Sequence, residues 1–193
     1  MLLKDFPKIK QKQKAILKIE KEIDRLIKEA IAAENKKRGS TSSSVYKLTP
    51  AGQALAKNFE QNKGKLPWPV ERGLLTMRFG VNKSHIVNTL EVISNGIRIE
   101  TEEGAEAQSI FEGEVSKIFL VRGANPIVFV RHGNYLCVYK NLVNLSVKPN
   151  QKVKAGEILG KVGKDPSTGK NVLTFMLTKN ETKLNPADWI AKM

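Results

Sequence analysis

Ile127-Val128-Phe129-Val130-Arg131-His132-Gly133-Asn134-Tyr135-Leu136-Cys137-Val138-Tyr139 is the stretch that decides the fold. Two runs rich in β-branched and aromatic residues flank Gly133-Asn134, a pair suited to a tight two-residue turn, so the segment predicts an antiparallel hairpin. Outward from it, similar short runs recur at residues 74–79, 96–101, 113–121, 157–162 and 172–178, separated by Gly, Asn or Pro. Residues 148–156 carry two turns in succession. The runs leave no room for alternating crossover helices. The expected fold is mainly β, an antiparallel sandwich or barrel-like sheet.

The first quarter of the chain has a different texture. Ile9, Ile16, Ile23 and Ala30 at one seam position, with Ile19, Leu26 and Ala33 at the other, describe a heptad pattern broken only by Lys12. Charged residues such as Glu20, Lys21, Asp24, Arg25 and Lys28 surround it. This predicts a coiled-coil helix over residues 1–38, with a single amphipathic helix as the alternative. Residues 39–48 contain Gly39 and a run of Ser and Thr, the composition of a flexible linker. Thr49-Pro50 then reads as an N-cap and first helical residue, opening a short helix over residues 49–63 that Gly64 ends. The β-domain occupies residues 64–193, entered through the extended Leu66-Pro67-Trp68-Pro69-Val70.

Lys+Arg outnumber Asp+Glu by 33 to 19, a net charge of +14, which favours polyanionic partners without naming one. No basic stretch is interleaved with surface aromatics, so nucleic acid is not expected as a partner. Cys137 is the single cysteine, which rules out an intrachain disulfide, and its alternating surroundings predict a buried thiol. No run approaches the length of a membrane span, and the start is too short for a signal-peptide core. The abrupt helical start points to a fragment of a longer protein.

Three short segments carry chemistry by comparison. Ser94-Asn95-Gly96-Ile97-Arg98, Tyr139-Lys140-Asn141-Leu142 and Val172-Leu173-Thr174-Phe175 resemble the His-x-Gly-Ile-Asp, Tyr-x-His-Leu and His-x-His-Phe motifs of lysostaphin/LytM-type zinc endopeptidases. Supporting segments extend the resemblance over residues 66–190, among them Phe111-Glu112-Gly113-Glu114-Val115, the Arg131–Tyr139 hairpin, residues 147–160 and Leu184-Asn185-Pro186-Ala187-Asp188-Trp189. The resemblance implies the duplicated hybrid motif fold. It also implies that the family's three zinc ligands fall on Ser94, Arg98 and Thr174, and its two assisting histidines on Asn141 and Val172.

A zinc peptidase needs about three His or carboxylate ligands and an open position for water. Serine and threonine are poor ligands, and Arg98 brings a permanent positive charge. The expectation is therefore a degenerate site with no metal, no cofactor and no catalytic residue, in which Ser94, Arg98, Asn141, Val172 and Thr174 line a binding groove. His132 matches a hairpin histidine that is not a ligand, and His85 lies in the loop after Gly80. Glu91, Glu100, Glu102, Glu103 and Glu106 read as a solvated acidic edge rather than a paired-carboxylate site.

Helix, linker, short helix and degenerate domain together resemble the EnvC-type murein hydrolase activators. What this implies is a periplasmic or cell-envelope protein that binds and switches on a peptidoglycan amidase during cell separation, with further contacts to peptidoglycan and, through the coiled coil, to division-complex proteins. The alternatives are an active zinc endopeptidase cleaving peptidoglycan cross-bridges and a wall-binding structural module. The short helix is expected either in the groove or packed outside the sheet.

Overall fold

The computed structural model describes residues 6–83, 91–120, 124–166 and 168–192. It divides into two compact units, Met1–Lys47 and Leu48–Met193.

In the first unit, helix α1 runs over Phe6–Lys36. Its buried residues Ile23, Leu26, Ile27, Ile31 and Asn35 follow a spacing of three and four. Within this unit the stripe departs from the heptad seam: Ala30 is half-buried and Ala33 is exposed, while Ile27 and Ile31 lie in the buried stripe. A 3.6-residue helix carries its stripe off a strict 3.5-residue seam, and the bulkier isoleucines mark where it goes. The segment read as a linker is tied to the helix end. The Asn35 carboxamide donates to Ser42 O (2.9 Å) and Val45 O (2.6 Å) and accepts from Lys47 N (2.6 Å), while Tyr46 is buried.

The second unit begins with α2 (Pro50–Gln61), whose N-cap Thr49 accepts from Gly52 N at 3.1 Å. Thirteen strands are described: β1 Leu74–Met77, β2 Gly80–Lys83, β3 Glu91–Ser94, β4 Ile97–Thr101, β5 Glu106–Gln108, β6 Gly113–Phe119, β7 Ile127–His132, β8 Tyr135–Lys140, β9 Leu142–Val143, β10 Lys152–Val153, β11 Ile158–Val162, β12 Asn171–Lys179 and β13 Thr182–Leu184. A large sheet runs β1-β4-β12-β8-β7-β6-β10, with β13 paired to β12. A small sheet runs β5-β11-β9, and β2 and β3 form a separate hairpin. All named pairs are antiparallel. The mainly β, sandwich-like expectation is met.

The core lies between the large and small sheets. Ile97, Ile99, Val128, Val130, Tyr135, Cys137, Tyr139, Leu173, Phe175 and Leu177 from the one meet Ala107, Leu142, Leu159 and Val162 from the other. Period-two alternation explains which residues take part, since directly opposed partners share a face. Leu173 faces Ile99 and Phe175 faces both Ile97 and Tyr139, all towards the core. The Tyr139 hydroxyl accepts from Ile110 N at 3.1 Å, which explains a tyrosine in Tyr139-Lys140-Asn141-Leu142 on structural grounds.

Helix α2 packs by its Phe59 ring against Tyr135 (4.7 Å), His132 (5.0 Å) and Trp189 (5.4 Å), all centroid distances. Its apolar anchors Phe59 and Ala56 belong to the core. Gly133 in the β7–β8 turn has φ 67°, and a Cβ there would lie 2.7 Å from that of Ala56, so helix and turn touch backbone to backbone.

Candidate functional site

Arg98 on β4 and Thr174 on β12 are directly opposed, and Thr174 is opposed in turn by Lys140 on β8. The three therefore form a row across one face of the large sheet, the face turned away from Phe175 and Ile97. Each is partly exposed, whereas Val138, Met176 and Thr178 on the same face are buried. Val172 lies two residues from Thr174 on that face, opposite Glu100, and is also buried.

The Arg98 guanidinium forms an ion pair, through Nη2, with Asp165 Oδ2 in the β11–β12 connection. Side-chain exposures of 29% and 18% leave the pair partly shielded from water. Asp165 is held by its own turn: its N–H donates to Lys170 O and its carbonyl accepts from Gly169 N, both at 2.8 Å. Two further ion pairs join the same segments, Lys170 to Glu100 at 2.7 Å and Lys164 to Glu103 at 2.8 Å. The edge read as freely solvated is therefore partly paired, although both contacts lie near the surface and contribute little stability on their own.

Asn141 turns the corner between β8 and β9 with φ 72°, a conformation asparagine tolerates better than most residues. Its amide nitrogen donates to Gly163 O and to Val172 O, both at 2.7 Å, and its side-chain oxygen accepts from Asn125 Nδ2 at 2.8 Å. Asn141 thus spends its polar atoms on fastening the ends of β8 and β11 to β12. Ser94 ends β3 in the β2–β3 hairpin and is buried, with its hydroxyl donating to Gly96 O at 2.8 Å. Gly96 is demanded by close approach: a Cβ there would sit 2.3 Å from Phe175 O.

Arg98, Thr174, Val172 and Asn141 are thus brought together, by register or hydrogen bond. Ser94 lies off the large sheet and among the described residues has no hydrogen bond to the other four. Asp165, Lys140 and Asn125 were not anticipated. Asp165 lies 67 residues from Arg98 in sequence, and no local pattern links them. The available signal was chemical: an arginine set into a sheet face calls for a carboxylate.

His132 is fully buried, its Nδ1 lies 2.7 Å from Glu112 O, and its ring stacks on Phe59. Burial lowers its pKa to about 4, opposed by the Glu112 carbonyl and helped by Arg131, so the ring is neutral near pH 7. With Nδ1–H donating to the carbonyl, the histidine belongs to the core. His85 lies outside the described residues. Cys137 is a buried free thiol, and burial pushes its pKa up.

Residues 92–186 match peptidase family M23. The β-domain is an M23, LytM-type domain. An uncharacterized protein of Neisseria meningitidis is 33% identical over 140 residues, covering 72% of this chain and 22% of its own length. The cell division protein DipM of Caulobacter vibrioides is 30% identical over 145 residues, 72% of this chain and 23% of its own. The chain spans about a quarter of the length of the curated relatives it matches. Helicobacter pylori Csd3 shares the fold, with TM-score 0.55 and 24% identity over 68% of this chain and 36% of that one.

A zinc ion does not fit Arg98, Ser94 and Thr174, the residues that the motif resemblance expects at the ligand positions. One is a guanidinium already paired with a carboxylate, another a hydroxyl bonded to Gly96 O, the third a threonine. Among the described residues no three His, Cys, Asp or Glu side chains converge as a ligand set. The nearby carboxylate, Asp165, is the one that neutralises Arg98.

Proposed function

We propose that this M23 domain is a non-catalytic activator that binds a peptidoglycan amidase in the cell envelope and switches it on during cell separation. The observation that carries this reading is the Arg98–Asp165 pair, a fixed cation with its counter-charge at the position where the motif resemblance expects a metal ligand, and where hydrolysis would call for a dication and a free base. Cross-strand register sets Thr174 and Lys140 beside Arg98, with Val172 and Asn141 adjoining, and this row is where a partner segment would lie. Binding would stabilise the partner's open state, shifting an existing equilibrium without supplying catalytic groups. Contacts to division-complex proteins are assigned to the helical unit.

Support also comes from DipM, whose name marks that relative as a cell division protein. The +14 charge favours a second reading, a wall-binding module, through attraction to anionic wall polymers.

The test is amidase turnover on labelled peptidoglycan with and without the full chain. The activator reading predicts a rise in turnover that Arg98→Gln reduces. Unchanged turnover with salt-sensitive retention of the chain on bare sacculi would favour the wall-binding module. Chelator-sensitive cleavage by the chain itself would favour a peptidase.

A further inference from the structure

We infer that Arg98 is a carboxylate receptor whose resident ligand is Asp165, and that an acidic side chain of a protein partner exchanges with it. The inference rests on the proposed function only in assigning the acidic side chain to the partner; the receptor itself stands on geometry. A guanidinium offers a planar fork of donors that a carboxylate can bridge with both oxygens. Here Nη2 engages Asp165, while Nε is buried and has no hydrogen-bond partner among the described residues. The fork is only partly used, and because Nε is enclosed, an incoming carboxylate can engage it only by displacing groups now around Arg98, which makes exchange with Asp165 the route and not simple addition.

Asp165 is suited to exchange. It sits on the β11–β12 connection, and of the two other ion pairs that tie this connection to the β4 side, Lys164–Glu103 is exposed at 57% and 78% and Lys170–Glu100 is half-exposed at 59% and 29%. Exposed pairs hold weakly and weaken further with salt. The far side of the row is also prepared for an acid: Thr174 opposes Arg98 directly and Lys140 follows one strand later. The ligand class is therefore an acidic peptide segment, with the guanidinium of Arg98 as the primary contact and the Thr174 hydroxyl and Lys140 ammonium beside it.

The test uses the full chain and a defined probe, an acetylated and amidated Gly-Glu-Gly-Glu-Gly peptide, with Gly-Gln-Gly-Gln-Gly as control. NMR titration follows the backbone amide signals of residues 98 and 174 in every variant, together with the Arg98 Nε–H signal in the chains that keep the arginine. Asp165→Asn removes the resident charge without changing shape, so the acidic peptide should bind that variant about tenfold tighter than the native chain, and the glutamine peptide should bind neither. Arg98→Lys combined with Asp165→Asn keeps the cation but not the fork, and should lose most of the gain. Equal affinity of the native and Asp165→Asn chains, equal binding of the two peptides, or no binding by any variant overturns the inference. The two readings fail separately. An acidic peptide bound as described, with no amidase stimulated, sinks the activator function alone; stimulation with no effect of Asp165→Asn sinks the exchange alone.

Discussion

The two faces of β4 and β12 have had different fates. Towards the core, Ile97, Ile99, Leu173 and Phe175 are fully buried and alternate along the two strands as apolar residues. On the opposite face, one residue along each strand, Arg98 holds an ion pair and Thr174 a hydroxyl, at the two positions where the motif resemblance expects metal ligands. Strand geometry makes this separation possible. Side chains point alternately to opposite faces, so ligands can be exchanged for other groups without touching the packing that specifies the fold.

Substitutions on the two faces should therefore differ most in stability. Phe175→Ala empties a fully buried site and should cost about 3–5 kcal/mol in urea unfolding, whereas Thr174→Ala, one residue away, should cost below about 1 kcal/mol. Comparable losses at the two positions would break the comparison.

The next effect belongs to the core side and is read by pH. The folded pKa of His132 lies at about 4, below its ordinary 6.5, so the unfolded chain takes up the proton first as pH falls. The contribution is full above about pH 6.5 and is lost progressively down to about pH 4, roughly 3 kcal/mol in all, after which it levels off. His132→Gln should flatten this part of the stability–pH curve.

A smaller loss is expected where the site side has become structural. Asn141→Ala removes the donor shared by Gly163 O and Val172 O and should cost about 2 kcal/mol. Asn141→Gly relieves the positive φ but leaves the two carbonyls short, so thermal unfolding should place it between alanine and the native chain. Smallest of all, a double-mutant cycle with Arg98→Gln and Asp165→Asn should give a coupling of about 1 kcal/mol that shrinks in high salt. A salt-independent coupling would mean that the pair is more deeply shielded than its exposure indicates.

What could be read in the sequence followed the same division. The β7–β8 hairpin was legible because Gly133-Asn134 interrupts two alternating runs, and Thr49-Pro50 marked the start of α2 through local capping chemistry. The short strands β5, β9, β10 and β13 were not, since two or three residues carry no periodicity and owe their pairing to neighbours. The motif positions could be named, but not their partners. Asp165 reaches Arg98 only once β12 has paired with β4, and Asn125 meets Asn141 at the open end of the β7–β8 hairpin, a contact that depends on the exact register of that pair. In the helical unit, Asn35 looked like one more polar residue near a helix end, and only the folded chain shows it gathering residues 42–47.

Release of soluble fragments from purified peptidoglycan by the full chain alone, supplied with zinc, tests the central claim most directly. The account predicts release no greater than in the protein-free blank, because Arg98, Ser94 and Thr174 offer no site for the ion. Steady release that stops on adding a chelator would contradict it.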